Sequence, residues 1–263
     1  DTGNHCIVWQ RQFTTSTNTA IRAAIVDRNL NKLEDFMTVA STTTDNDSPD
    51  VDGNGRNWIV AWDREATSGN GDPGVYCRAI GWNPQATVGN QGYFLTGDIV
   101  VEDDLNDIER TPAVAWTGDG VLVAYVDNAL GADDDIYANL LDLYTCTLCR
   151  TTDYAIDTSL DAADQPAICS GRSGGENTVR CLISYRFNDI TAPPAGSNPD
   201  IFAIRYDADG ASVMVVGSDN RVKRVVVKTG ARGGGLVALT QGPAPGAVVI
   251  QNAAAFLLDG DLV

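Results

Sequence analysis

PAVAWTGDGVLVAYVDNALGADDDIYANLLD, the stretch from Pro112 to Asp142, decides how the rest of the chain is interpreted. It holds an apolar run opened by proline, a Gly-Asp-Gly turn, a second apolar run ending at Tyr125, an acidic loop and a third, alternating run. Short runs rich in Val, Ile and Tyr, bounded by Gly, Asn, Asp and Pro, are typical of β-strands. The stretch therefore predicts one β unit.

The same plan recurs along the chain. Aromatic residues end equivalent apolar runs at intervals of about 55–60 residues, as propeller repeats do, and they are Trp9, Trp62, Tyr125 and Tyr185. Proline opens the preceding run in three of the units, at Pro49, Pro112 and Pro166. Four short strands per unit at this period are the signature of propeller blades. The sequence thus predicts an all-β protein, a β-propeller of four-stranded blades, about five in number.

The repeat register divides the chain into units. We expect a repeat region over 1–220, with units of about 1–46, 47–107, 108–162 and 163–220. After Gly210 the pattern weakens, and the tail carries no proline-led run. Residues 221–263 are predicted to form either a last, degenerate blade or the start of a second β domain.

Composition excludes some partners. The 263 residues carry a net charge of −17 with a pI of about 4.2, and such a surface repels nucleic acid and anionic membranes. No apolar stretch approaches the roughly 20 residues that a membrane-spanning helix needs. The chain opens on Asp1 with no signal peptide, so it is interpreted as a processed chain or as part of a longer one.

Six cysteines suggest disulfides and an oxidising compartment, with buried reduced thiols as the alternative. Cys146 and Cys149 have the spacing of a local disulfide, and Cys169 and Cys181 flank one predicted hairpin. Cys6 and Cys77 are left to link neighbouring units. Sequence alone does not fix the pairing.

The units resemble the repeats of large secreted bacterial surface proteins. The resemblance rests on the Pro-Ala-Val strand, the Gly-Asp-Gly turn, the Val-rich strand ending in an aromatic residue, and the Asp-Ile-Tyr-Ala strand. It covers residues 1 to about 210 and implies a propeller that is secreted or exposed at the cell surface. It implies no chemistry.

Two acidic features are candidates for Ca²⁺. Asp50, Asp52 and Asn54 alternate around glycine, as oxygen ligands do in a calcium loop, although the pattern departs from that of an EF-hand. A solvated β-turn is the alternative. Asp133, Asp134 and Asp135 form a carboxylate cluster, as do residues 102–104, and either cluster is a solvated loop or part of a cation site.

A binding face is expected where the connections between second and third strands vary in sequence. Asp133, Asp134 and Asp135 lie in one such connection. Trp82 and Trp116 stand outside the repeated aromatic position and are predicted to be exposed contact residues. The repeated aromatics themselves are predicted to pack between blades.

Catalytic signatures are weak. His5 is the single histidine and no Gly-x-Ser-x-Gly elbow is present, which disfavours a Ser-His-Asp triad. The first hypothesis is therefore a non-enzymatic extracellular structural or adhesive module, with protein partners or self-assembly at the cell surface. The alternative is a carbohydrate-active propeller, a lectin or a glycosidase, that uses paired carboxylates on a glycan.

Overall fold

A computed structural model describes most of the chain, and every regular element that it describes is a β-strand. The described residues are 3–13, 18–34, 36–53, 56–65, 73–103, 107–117, 120–129, 133–142, 147–148, 153–158, 162–170, 180–188, 200–207, 212–233, 236–250 and 260–263. In these ranges no helix has the length and apolar character needed to cross a membrane.

The first three sheets are antiparallel and follow one another along the chain. The first sheet holds β1 (His5–Gln12), β2 (Thr19–Val26) and β3 (Met37–Ala40). The second sheet holds β4 (Asn46–Gly53), β5 (Asn57–Arg64), β6 (Gly74–Trp82), β7 (Gly92–Phe94) and β8 (Ile99–Glu102). The third sheet holds β9 (Asp107–Trp116), β10 (Gly120–Ala129), β11 (Asp135–Asp142), β12 (Thr147–Leu148) and β13 (Tyr154–Asp157).

Three further sheets complete the described structure. The fourth sheet holds β14 (Ala162–Ser170), β15 (Arg180–Asn188) and β16 (Asp200–Asp207). Two hairpins follow, one of β17 (Ser212–Val216) with β18 (Val222–Val226), the other of β19 (Lys228–Gly233) with β20 (Leu236–Gln241). Whether the tail after residue 220 is a last blade or a separate domain stays a prediction, as do the unit boundaries.

Proline marks the same backbone irregularity in three sheets. The residue before each proline has a positive φ: Ser48 at 49°, Thr111 at 48° and Gln165 at 52°. At that point the pairing between the first and second strands shifts register in all three sheets. A following proline disfavours the right-handed helical region for these residues, and an extra residue in one strand produces a bulge. The repeat inferred from the prolines is thus a repeat of structure.

Three buried cores join successive sheets. Trp62 belongs to the core between the first and second sheets, Tyr125 to the core between the second and third, and Tyr185 to the core between the third and fourth. Trp62 and Tyr125 are fully buried. Packing of each sheet against the next one along the chain is the arrangement of propeller blades. The all-β class, the propeller arrangement and the packing role of these three aromatics are confirmed.

The predicted disulfides are wrong for the four described cysteines. Cys6, Cys77, Cys169 and Cys181 are reduced thiols. Cys169 pairs across the strands with Leu182, and Cys181 pairs with Ser170. Side chains of neighbouring cross-strand pairs point to opposite faces of a sheet, so the sulfurs of Cys169 and Cys181 lie on opposite faces. Cys146 and Cys149 lie outside the described residues, and secretion stays a prediction.

Candidate functional site

The first strands of three successive sheets border a cavity of about 510 Å³. β4 contributes Asp50, Val51 and Asp52, β9 contributes Val114, and β14 contributes residues 168–170. These strands contact one another, β4 with β9 and β9 with β14. The cavity therefore lies where the blades meet and is lined by rigid strands on each of these sides.

Asp50 and Asp52 hold the edge of β9. Oδ2 of Asp50 accepts a hydrogen bond from the backbone N–H of Val114 at 2.8 Å, and Oδ2 of Asp52 accepts one from Trp116 at 2.7 Å. The Gly53 N–H donates to Oδ1 of Asp52 at 2.7 Å. Burial raises the pKa of Asp50 above its ordinary value. The two carboxylates are thus fixed in direction along one wall of the cavity, and they satisfy N–H groups that the strand edge would otherwise leave open.

The calcium site predicted from the sequence begins at these same residues. Both lie in a strand and bind backbone N–H groups, and Asn54 lies outside the described residues. Calcium binding by Asp50, Asp52 and Asn54 therefore stays a prediction. A closer set of acidic side chains lies elsewhere.

Asp107, Glu109 and Asp127 form that set, which we call the acidic triad. One carboxylate oxygen from each lies within 4.8 Å of the others. Glu109 in β9 pairs with Asp127 in β10, and Asp127 pairs with Asp135 in β11. Directly paired residues point to the same face of a sheet. The acidic triad lies on the same face of the third sheet as Tyr125, and this face packs against the second sheet.

Glu109 is the most deeply placed member, with 1% of its surface exposed. Its backbone N–H donates to the carbonyl of Pro73, which places it at the seam between the second and third sheets. In the described structure neither of its carboxylate oxygens has a hydrogen-bond partner. Burial, followed by the charges of Asp127, Glu102 and Asp107, raises the pKa of Glu109 to about 9. The seam concentrates negative charge.

The loop acids separate into two roles. Asp134 accepts hydrogen bonds from Arg110 at 2.5 Å and from Asn128 at 2.8 Å, so it holds the loop to the sheet. Asp135 borders the acidic triad, and burial with the charges of Asp133 and other neighbouring carboxylates raises its pKa to about 7. The predicted cluster is thus partly structural and partly continuous with the triad.

The predicted exposed aromatics are placed differently. Trp116 is only 9% exposed and belongs to the core between the second and third sheets. Trp82 is half-buried and packs against the core between the first and second. The prediction that Trp116 is an exposed contact residue is wrong, because its side chain lies in this core at the end of β9. Most residues of the variable connections lie outside the described ranges.

The acidic triad was missed from the sequence. Glu109 stands three residues before Pro112, as Asn46 stands before Pro49 and Ala163 before Pro166. All three positions are buried. The signal that would have identified Glu109 is its charge, because the equivalent repeat position is buried in the other units.

No protein-family model matches the chain, and no curated protein matches it. Among solved structures, an α-L-arabinanase of Penicillium chrysogenum complexed with arabinobiose is 13% identical, with a TM-score of 0.46 over 77% of this chain and 59% of that one. A thermostable family-43 glycoside hydrolase is 10% identical, with a TM-score of 0.44 over 92% of this chain and 74% of that one. This chain therefore spans 59% of the arabinanase's length.

The hypothesis of a non-enzymatic structural or adhesive module is contradicted, because the matching structures are glycoside hydrolases. At these TM-scores the likeness assigns no substrate, activity or residue to this chain.

Proposed function

We propose that this chain is a carbohydrate-active propeller that binds a sugar in the cavity between β4, β9 and β14. The observation that carries the proposal is the pair of fixed carboxylates, Asp50 and Asp52, on one wall of a cavity of about 510 Å³. Pockets for small ligands span roughly 300–1,000 Å³, so a sugar unit fits in size.

The chemistry of the lining suits a sugar. A carboxylate accepts several hydrogen bonds, so Asp50 and Asp52 retain acceptor capacity for sugar hydroxyls after binding the backbone of β9. Ser170 adds a hydroxyl that both donates and accepts. Val51, which is partly exposed, offers apolar surface to the C–H face of a ring. Polar groups that are held in place on strands can fix the orientation of a small ligand, as in other binding sites.

Hydrolysis of a glycosidic bond is the second candidate. Glycosidases use one carboxyl group as an acid and another as a base or nucleophile. The raised pKa of Asp50 favours hydrolysis, because a carboxyl group that keeps its proton at higher pH is the better general acid. Asp50 and Asp52 alternate in a strand, which puts their Cα atoms roughly 7 Å apart. In this candidate Asp50 is the acid and Asp52 the base.

The test is calorimetric titration with a panel of arabino-, xylo-, gluco- and galacto-oligosaccharides, with release of reducing sugar measured on the same panel. Ser170→Phe places a bulky ring in the cavity without removing a carboxylate and is expected to block binding. Val100→Phe introduces the same side chain at an exposed residue on β8 and is expected to bind normally. Thermal unfolding of both variants checks that they fold.

Binding without release supports a lectin-type protein, and release that Asp50→Asn abolishes supports a glycosidase. Equal binding by Ser170→Phe and by the unsubstituted protein contradicts the proposed site. Silence across the whole panel, with the protein folded, contradicts the proposed function.

A further inference from the structure

The cavity between β4, β9 and β14 presents charge of one sign. Among its described lining residues the charged ones are Asp50 and Asp52, and both are negative. The other described lining residues carry apolar, thiol or hydroxyl side chains. The whole protein has a net charge of −17. A ligand that enters the cavity therefore meets negative charge at short range and at long range.

The hydrogen bonds that hold the two carboxylates do not cancel their charge. Asp50 accepts from the N–H of Val114, and Asp52 accepts from the N–H groups of Trp116 and Gly53, all of them neutral donors. Burial is the largest cause that raises the pKa of Asp50, and the charge of Asp52 raises it further. A nearby cation favours the ionised form of such a carboxyl group. The pair therefore favours a ligand that brings a positive charge.

We propose that the sugar bound in this cavity is an amino sugar, a hexose with a free and protonated amino group, a choice that rests on the proposed function and narrows it to one chemical class. An ammonium N–H donates to a carboxylate in a charge-assisted hydrogen bond, which is roughly twice as strong as a neutral one. Uronic acids carry a carboxylate of their own and are excluded by like charge.

The geometry lets one sugar unit use both carboxylates. Asp50 and Asp52 alternate in β4, so their side chains share a face of the sheet. An ammonium group has three N–H donors, so it can bond to one carboxylate and still donate to a neighbouring acceptor such as the hydroxyl of Ser170. Ring hydroxyls of the same sugar can donate to the other carboxylate. Acetylation of the amine removes the charge and two of these donors.

The charges set an order of affinity. A protonated amino sugar is expected to bind about tenfold more tightly than the neutral sugar of the same ring, because it adds a charge-assisted bond in a partly buried site. The uronic acid is expected to bind at least about tenfold more weakly than the neutral sugar, because like charges placed side by side are strongly unfavourable. The N-acetylated sugar is expected to behave like the neutral one.

The test compares methyl glycosides that differ in one group. Calorimetry at pH 6 and low salt measures the glucosaminide, the N-acetylglucosaminide, the glucoside and the glucuronide, together with the matching galacto series. An aliphatic amine is protonated at this pH. The expected result is the order given above in at least one series. Added salt at about 0.5 M is expected to reduce the preference for the amino sugar, because salt screens charge.

Cys169 reports where the sugar binds. Its thiol is exposed and lines the cavity, whereas Cys77 and Cys181 are buried. A bound amino sugar at saturation is expected to slow alkylation of Cys169 by iodoacetamide at least twofold, as peptide mapping would show. Ser170→Phe is expected to remove this dependence on the sugar, because its ring occupies the same cavity.

Asp52→Asn tests the role of charge. It removes one negative charge and keeps the shape of the side chain, so the ratio of amino-sugar affinity to neutral-sugar affinity is expected to fall about fivefold. Glu65→Gln is the matched control, since it removes one charge at an exposed carboxyl group near the end of β5. This control is expected to keep the ratio of the unsubstituted protein. Thermal unfolding of both variants checks that they fold.

Neutral glycosides that bind as tightly as the amino sugars, or uronides that bind at all tightly, would overturn the choice of an amino sugar and leave the sugar site in place. A preference that Asp52→Asn does not change would also overturn it, as would equal slowing of Cys169 alkylation by ethanolamine, an amine without a sugar ring. Silence of every glycoside and oligosaccharide with the folded protein contradicts the proposed function itself, so the two failures are distinguishable.

Discussion

Replacing Asp52 by alanine tests the contact that fixes β9 against β4. The carboxylate accepts hydrogen bonds from the N–H groups of Trp116 and Gly53, each at 2.7 Å. A hydrogen bond to a charged group contributes about 1.5–3 kcal/mol, and a buried N–H left unsatisfied costs about 1–3 kcal/mol. Trp116 is buried, so water does not readily replace the lost acceptor. We expect Asp52→Ala to lower the free energy of unfolding by about 2–4 kcal/mol.

Urea unfolding followed by tryptophan fluorescence measures this change. Asp52→Asn keeps one acceptor oxygen, so its expected loss is smaller, about 1 kcal/mol. Asp103→Ala removes an exposed carboxylate that Tyr76 contacts at 2.7 Å, and its expected loss is below about 1 kcal/mol. If Asp52→Ala and Asp103→Ala lose the same small amount, the backbone contact does not hold the two sheets and the reasoning is refuted.

Two further predictions concern titration and reactivity. Burial raises the pKa of Asp63 above its ordinary value of 3.8; its contribution to stability is full below that value and is lost as pH rises through the raised pKa. As pH rises from 3 to 7, the free energy of unfolding should therefore fall less for Asp63→Asn than for the unsubstituted protein. Urea titrations at several pH values measure this difference, and identical pH profiles would refute the prediction. Burial also raises the pKa of Cys6 to about 12, whereas Cys169 is exposed. A thiol reagent at pH 8 should modify Cys169 before Cys6, as peptide mapping would show, and the reverse order would contradict the described burial.

The repeat was predictable because packing imposes it on the sequence. Trp62 and Tyr125 fill successive inter-sheet cores, so large apolar residues recur at the spacing of the blades. The prolines recur because a bulge precedes each of them, at residues such as Thr111. Core and backbone constraints of this kind are local, and a single sequence carries them.

The candidate sites were less predictable because they depend on pairing across strands. Asp50 and Asp52 alternate like ligands of a calcium loop, and only the position of β9 shows that they bind N–H groups. Glu109 meets Asp127 only after the bulge at Thr111 has shifted the register. A register shift of one residue reverses which side chains share a face, so the triad was not recognisable from spacing.

The same argument explains the cysteines. Cys169 and Cys181 flank one hairpin in the sequence, which favoured a disulfide. Their strands pair them with Leu182 and Ser170 on neighbouring rungs. The side chains therefore point to opposite faces, a difference of one residue that composition does not reveal.

The most direct test of the central claim is calorimetric titration of the unsubstituted protein and of Ser170→Phe with the same oligosaccharide panel. The account predicts saturable binding of at least one sugar by the unsubstituted protein and its loss in the cavity-filled variant. Binding that survives Ser170→Phe would move the site away from the cavity between β4, β9 and β14. No binding by the folded, unsubstituted protein would contradict the assignment of a carbohydrate-active propeller.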